Sequence, residues 1–151
     1  MNSIDKINNL MNQVEEKLSH TPQTDVSSPD LRKGNLERLE ILYKNLDISK
    51  KHNNFQSIFE YKAMNLSGIG LKAEDFGEIR PGKYIQIISI SYELNDKGKR
   101  IAKNSSLGYF GKAEKLEPEL KSNIIEFVLR WRYEKAFQHT EHYQKLLERL
   151  H

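Results

Sequence analysis

Two groups of side chains in this sequence have types and spacings that could do chemistry. The first lies in residues 97–115, with six basic residues (Lys97, Lys99, Arg100, Lys103, Lys112, Lys115) against one acid, Glu114. That is a surplus of five positive charges in a chain whose formal net charge is +3, so the rest nets about −2. Tyr109 and Phe110 stand inside this window, between Gly108 and Gly111. Cations interleaved with aromatics can follow a phosphate backbone and stack bases. Lys97, Lys99, Arg100, Lys103, Tyr109 and Lys112 are therefore candidate nucleic-acid or anion contacts. The plainer expectation, which we prefer, is a lysine-guarded edge strand with Tyr109 and Phe110 packed in the core.

The second group is near the C-terminus. His139 and His142, with Glu141 between them, are the only histidine cluster. Three-residue spacing makes them neighbours on a helix, where they could share a metal. No third ligand is visible, however, and His139 falls on an apolar seam, so no metal is expected. Just upstream, Arg130, Trp131, Arg132 and Tyr133 form a cation-aromatic run. Four consecutive residues point around the whole circumference of a helix, so they cannot make one binding face. Trp131 is expected in the core, with the two arginines on flanking surfaces.

An enzyme would call for paired carboxylates, a nucleophile beside a base, or a glycine-rich phosphate loop. None stands at a recognisable spacing. Gly68 and Gly70 lack the third glycine and the following helix of a dinucleotide site. Ser105, Ser106, Leu107 and Gly108 would make a small anion nest, but such residues fill ordinary turns as well. We expect no catalytic residues and no cofactor.

The elements that must position these side chains follow from pattern. Tyr84, Ile85, Ile87, Ile88, Ile90, Tyr92 and Leu94 suit a strand, and residues 95–98, Asn-Asp-Lys-Gly, are turn formers. Ile88, Ile90, Tyr92 and Leu94 alternate with Ser89, Ser91 and Glu93, which predicts the isoleucine side as the dry face. Ile85 and Ile87 have the other parity, so either a bulge lies near Ile87 and Ile88 or both faces are covered there. The return strand is expected over 100–110. A third strand is expected over 57–66, with a short helix as the alternative. Pro29 at a first helical turn and Leu36, Leu39, Leu42 and Leu46 predict a helix over 30–46. Pro118 opens another over 118–150, whose first half carries Leu120, Ile124, Phe127, Val128 and Trp131.

Two helical seams have 3-4-3-4 spacing. One is Ile4, Ile7, Met11, Val14 and Leu18 in a helix over 3–19; the other is Ala136, His139, Tyr143, Leu146 and Leu150. Residues 20–29, with prolines and small polar residues, read as a linker, so the first seam sits on a tether. Their similar length and spacing suggest that the two pair, within one chain or across a dimer.

A chain of 151 residues is one ordinary domain. It has no cysteine, which excludes disulfides, thiolate metal sites and cysteine nucleophiles. It has no apolar run long enough for a bilayer and no secretory pattern at its start, so a cytoplasmic location is expected. The expected fold is α+β: a three-stranded antiparallel meander covered by helices, with a long C-terminal helix and a tethered N-terminal helix. Residues 1–19 are the arm, 20–29 the linker and 30–151 the domain. The expected core is Leu39, Leu42, Leu46, Phe59, Ile85, Ile88, Ile90, Tyr92, Ile124, Phe127, Val128 and Trp131. The expected function is that of a non-enzymatic adaptor acting through protein–protein contacts, with another protein or a second copy of itself, by way of helical seams. The alternative is nucleic-acid binding by hairpin 97–115.

Overall fold

A strand has two faces, so four isoleucines at 85, 87, 88 and 90 cannot all reach the same core. The computed structural model, which describes residues 29–151, shows which of them do. Strand β2 (Tyr84–Leu94) turns back into β3 (Arg100–Lys112), and the shorter β1 (Ala63–Ser67) pairs with the other edge of β2. The sheet order is β1-β2-β3 and both pairings are antiparallel, which is the expected meander. The turn is built as its residues dictate. The Asn95 side-chain oxygen accepts from the backbone N–H of Lys97 at 3.0 Å and of Lys99 at 2.8 Å. Gly98 takes the positive φ of 77° that closes it.

Helix α1 (Pro29–Asn45) is followed by the one-turn α2 (Ile48–Lys51) and a 3₁₀ segment, Phe55–Glu60. After the hairpin come a short 3₁₀ turn, Ala113–Lys115, and the long helix α3 (Pro118–Glu148). The fold is thus α+β. Asn35–His151 forms one compact unit, and the packing that follows is that of this unit.

Ile85, Ile87 and Ser89 are the β2 residues that face the core, and all three are fully buried. Met64 and Leu66 of β1 lie opposite Ser89 and Ile87 and join them. Leu39, Leu42, Leu46, Phe59, Ile124, Phe127, Val128 and Trp131 are buried in the same cluster, as expected. The other parity does not reach the core as expected: Ile88 and Ile90 are only half-buried, and Tyr92 is 46% exposed. The cause is Ser89. Its hydroxyl donates to the Ser105 carbonyl at 3.2 Å, so a small polar residue sits dry without an unpaired group. A serine at a core position makes the dry face look wet in sequence. A bulge does fall at Ile87 and Ile88, but the extra residue is on the partner strand: Ile87 pairs with Gly108 and Ile88 with Ser106, leaving Leu107 between them. Leu107 is buried.

The expected strand over 57–66 is also corrected. Residues 55–60 are 3₁₀ helix, and β1 starts only at Ala63. Asn54 caps the 3₁₀ segment, its side chain accepting from the Gln56 N–H at 3.1 Å. The tight winding puts Ile58 and Phe59 side by side in the core and stacks Phe55 edge-on against Phe59, with centroids 5.6 Å apart. It also leaves the Ile58 carbonyl free to accept from the indole N–H of Trp131 at 2.8 Å, a buried bond between α3 and this segment.

Two consequences are measurable by urea unfolding. Ile87→Ala is expected to cost about 2–5 kcal/mol, whereas its neighbour Ile88→Ala costs about 1 kcal/mol. Equal losses would mean that both faces of β2 are equally buried, contrary to this assignment. Trp131→Phe keeps an aromatic side chain in the core but orphans the Ile58 carbonyl and leaves a small void where the pyrrole half of the indole was, and is expected to cost about 1–3 kcal/mol.

Candidate interaction surfaces

Helix α3 changes character along its length. Ile124, Ile125, Phe127, Val128, Trp131, Glu134 and Phe137 are buried, and every residue from 139 to 151 is exposed. Residues 139–148 therefore run on for about 15 Å at 1.5 Å per residue beyond the last buried turn. Tyr143, Leu146 and Leu150 of the seam are 64%, 40% and 76% exposed. Leu147, which the strict seam spacing leaves out, is 59% exposed and widens the stripe. Ala136 and His139, its first two members, are exposed where they border a cleft beside β1. The partner seam proposed for it, Ile4, Ile7, Met11, Val14 and Leu18, lies outside the described residues, as does the linker over 20–29 except for its last residue, Pro29, which opens α1.

That cleft, about 360 Å³, is lined by Lys62, Asn65, Trp131, Arg132, Lys135 and His139 among others. Its cations are already committed. The Arg132 guanidinium donates to the Met64 carbonyl at 3.2 and 2.9 Å, and the Lys135 ammonium to the Phe59 carbonyl at 2.8 Å. Burial, with Lys62 adding to it, holds the Lys135 ammonium below the usual lysine range. These groups fasten α3 to β1 and the 3₁₀ segment. Arg130 is similarly occupied. It donates to the Asn35 side chain at 3.0 Å and to Glu126 at 2.7 Å, and Asn35 donates back to the Arg130 carbonyl at 3.0 Å. Tyr133 stacks on Phe137, centroids 4.7 Å apart. The run 130–133 thus points in four directions around the helix, as its geometry requires, with Trp131 directed into the core, and three of its members are structural ties.

The hairpin divides the basic residues between two faces. Paired residues in a sheet share a face. Tyr109 lies opposite Gln86, Lys112 opposite Tyr84 and Arg100 opposite Leu94, all on the face turned away from the core. Lys103 lies opposite Ser91 on the other face and is ion-paired to Glu93 at 3.2 Å. Lys97 and Lys99 are exposed at the turn. Tyr109 is not in the core, as the preferred expectation had it, but 56% exposed, while Phe110 packs half-buried against the core. The alternation at the bulge separates the two rings, and Gly108 lies directly under the Phe110 ring, where a Cβ would collide with it. The Tyr109 ring meets Tyr84 at 5.8 Å, and the Arg100 guanidinium covers Tyr92 at 4.1 Å. Tyr84 and Tyr92 were not among the candidate contacts. Their even numbering along β2, shared with Ile88 and Ile90, was the signal.

Among the described residues no group of three His, Cys, Asp or Glu is placed to hold a metal ion, and His142 packs beside the Tyr143 ring. Among the same residues no helix is long and apolar enough to cross a membrane. No protein-family model, curated protein or solved structure matches this chain.

Glu126 receives Arg38 at 2.9 and 3.0 Å as well as Arg130, joining α1 to α3. The Arg38 guanidinium, with Arg130 behind it, holds the Glu126 carboxyl below its usual range against the opposing effect of burial. A depressed carboxyl stabilises the fold fully above its unfolded-state pKa, and the contribution is lost as pH falls through the lower folded-state value. Glu126→Gln is therefore expected to be less stable than the parent at neutral pH and equal to it in strong acid. Thermal melts from pH 7 downward check this; a stability gap that stays constant with pH would assign no role to the charge.

Proposed function

We propose that this chain is a non-enzymatic adaptor that acts in the cytoplasm by pairing helices, and that residues 139–150 pair with the same stretch of a second copy. One observation carries this reading. An apolar stripe of Tyr143, Leu146, Leu147 and Leu150 continues on a helix after every described core contact has ended. A free helix of that length is marginal in water. Here it is nucleated by the buried turns before it, so the segment is held ready without a partner. Covering its stripe removes large side chains from water, and that gain is realised only on association.

The area available is small. Three turns of helix fall at the low end of specific interfaces, where association is weak and exchange is fast. Weak, exchangeable pairing suits an adaptor that passes from its own copy to another helical partner. Neither a metal nor a cofactor enters this mechanism.

Sedimentation velocity over a concentration series tests it. The wild-type chain is expected to gain weight-average mass with concentration. Leu146→Lys with Leu150→Lys is expected to stay monomeric and to melt like dilute wild type, because neither residue is buried in the single chain. A wild-type chain that remains monomeric throughout the series would remove this reading.

A further inference from the structure

The sheet has a second face that the helices of the Asn35–His151 unit do not use. The register assigns it Tyr84, Gln86, Ile88, Ile90, Tyr92 and Leu94 from β2, with Arg100, Tyr109 and Lys112 among their β3 partners. Three tyrosines stand there half in solvent: Tyr84 at 50%, Tyr109 at 56% and Tyr92 at 46% exposure. No acid occupies a paired position on this face. The hairpin's carboxylates are elsewhere. Glu93 is on the core-side face, neutralised by Lys103; Asp96 is exposed in the turn, beyond the paired positions; and Glu114 accepts from the Gly82 backbone N–H, which holds its carboxyl below the usual range.

We propose that this open face binds single-stranded nucleic acid, with bases stacked on Tyr84, Tyr109 and Tyr92 and phosphates drawn to Arg100 and Lys112. This goes beyond helix pairing and uses a different surface. Three features select the occupant. The charge is of one sign, so a polyanion is attracted and a second copy of the same face is repelled. The aromatics lie at the two ends of one strand, with Tyr84 and Tyr92 about 26 Å apart at 3.3 Å per residue. That spacing suits a strand of several nucleotides and not a single compact ligand. Between the ends, half-buried Ile88 and Ile90 give an apolar floor on which base faces lose water. A duplex keeps its bases stacked on one another and offers tyrosine rings nothing to cover, so the strand must be single. The Arg100 guanidinium lies over the Tyr92 ring, 4.1 Å from its centroid, and a guanidinium placed there can take a base on its outer side.

Fluorescence anisotropy of a labelled oligouridylate of about 12 nucleotides, titrated with the full chain over a salt series, tests the proposal. Binding is expected at low salt, weakening as salt rises, with the matching duplex bound less tightly. Tyr109→Ala is expected to weaken binding by about 5–150-fold, whereas Tyr109→Phe, which keeps the ring, binds as wild type. Arg100→Ala is expected to weaken binding and flatten the salt dependence, while Lys103→Ala, on the other face, changes little. No binding at low salt would overturn the proposal. So would equal losses in Arg100→Ala and Lys103→Ala, which would mean diffuse attraction to a basic hairpin. Self-association abolished by Tyr84→Ala and Tyr109→Ala would put a second copy on this face and overturn it as well.

Discussion

The side on which β2 places its core sets the layout of everything around it. Ile85, Ile87 and Ser89 point toward the helices, and the pleat then commits Tyr84, Ile88, Ile90 and Tyr92 to the opposite side. A shift of one residue would exchange the two sets. What holds the strand in phase is a joint condition. Two isoleucines fill the dry face, and the one polar side chain among them finds the Ser105 carbonyl. The bulge at Leu107 lets β3 contribute its own large residue to that face without disturbing β2. It also sends Tyr109 outward while Phe110 packs against the core. The core and the open tyrosine face are thus one decision seen from two sides.

Helix α3 makes the complementary choice along its axis. Its first two-thirds cover the sheet, anchored where Trp131 donates to the Ile58 carbonyl. Arg132 and Lys135 reach the backbone of Met64 and Phe59 from the same helix. Past Phe137 nothing described covers the helix, and its apolar residues change from core material to surface. Continuous hydrogen bonding through the helix means that the exposed part inherits the rigidity of the buried part. A stiff, greasy, solvent-facing helix end is a different object from a frayed terminus.

Much of this was legible before any coordinates. The hairpin could be read because its turn is local chemistry: an Asx-type oxygen at Asn95 and a glycine at 98 act within five residues of each other. Helix α3 could be read because apolar spacing over eight turns leaves few alternatives. The face of β2 could not, because the decisive bond joins Ser89 to a carbonyl on another strand, which no local pattern reports. The 3₁₀ segment at 55–60 stands only as the alternative to a strand in the sequence, for a related reason. Its alternation of Phe55, Ser57 and Phe59 mimics a pleat, while its true winding is held by the Asn54 cap and by an indole from residue 131. Among the surface residues, Leu146 and Leu150 were found by spacing. Leu147 lies one step off the 3-4 seam, and Tyr84 lies on the neighbouring strand outside the basic window 97–115, so neither stands out in the sequence.

Charge distribution reinforces the division into two surfaces. Counting cations along the chain suggests positive patches on α3 as well as on the hairpin, but the two sets are in different physical states. Arg130 and Arg132 are bonded to protein oxygens, and Lys135, likewise bonded, is held below its ordinary range by burial. Attracting a ligand there would mean breaking bonds that hold α3 to its neighbours. On the hairpin the reverse applies: Arg100 rests on a ring and Lys112 lies exposed opposite another, with no carboxylate at the paired positions of that face. Only the second set can offer its field to a partner without cost to the fold. The basic face and the apolar helix end therefore do not compete for the same residues, and one chain can use both.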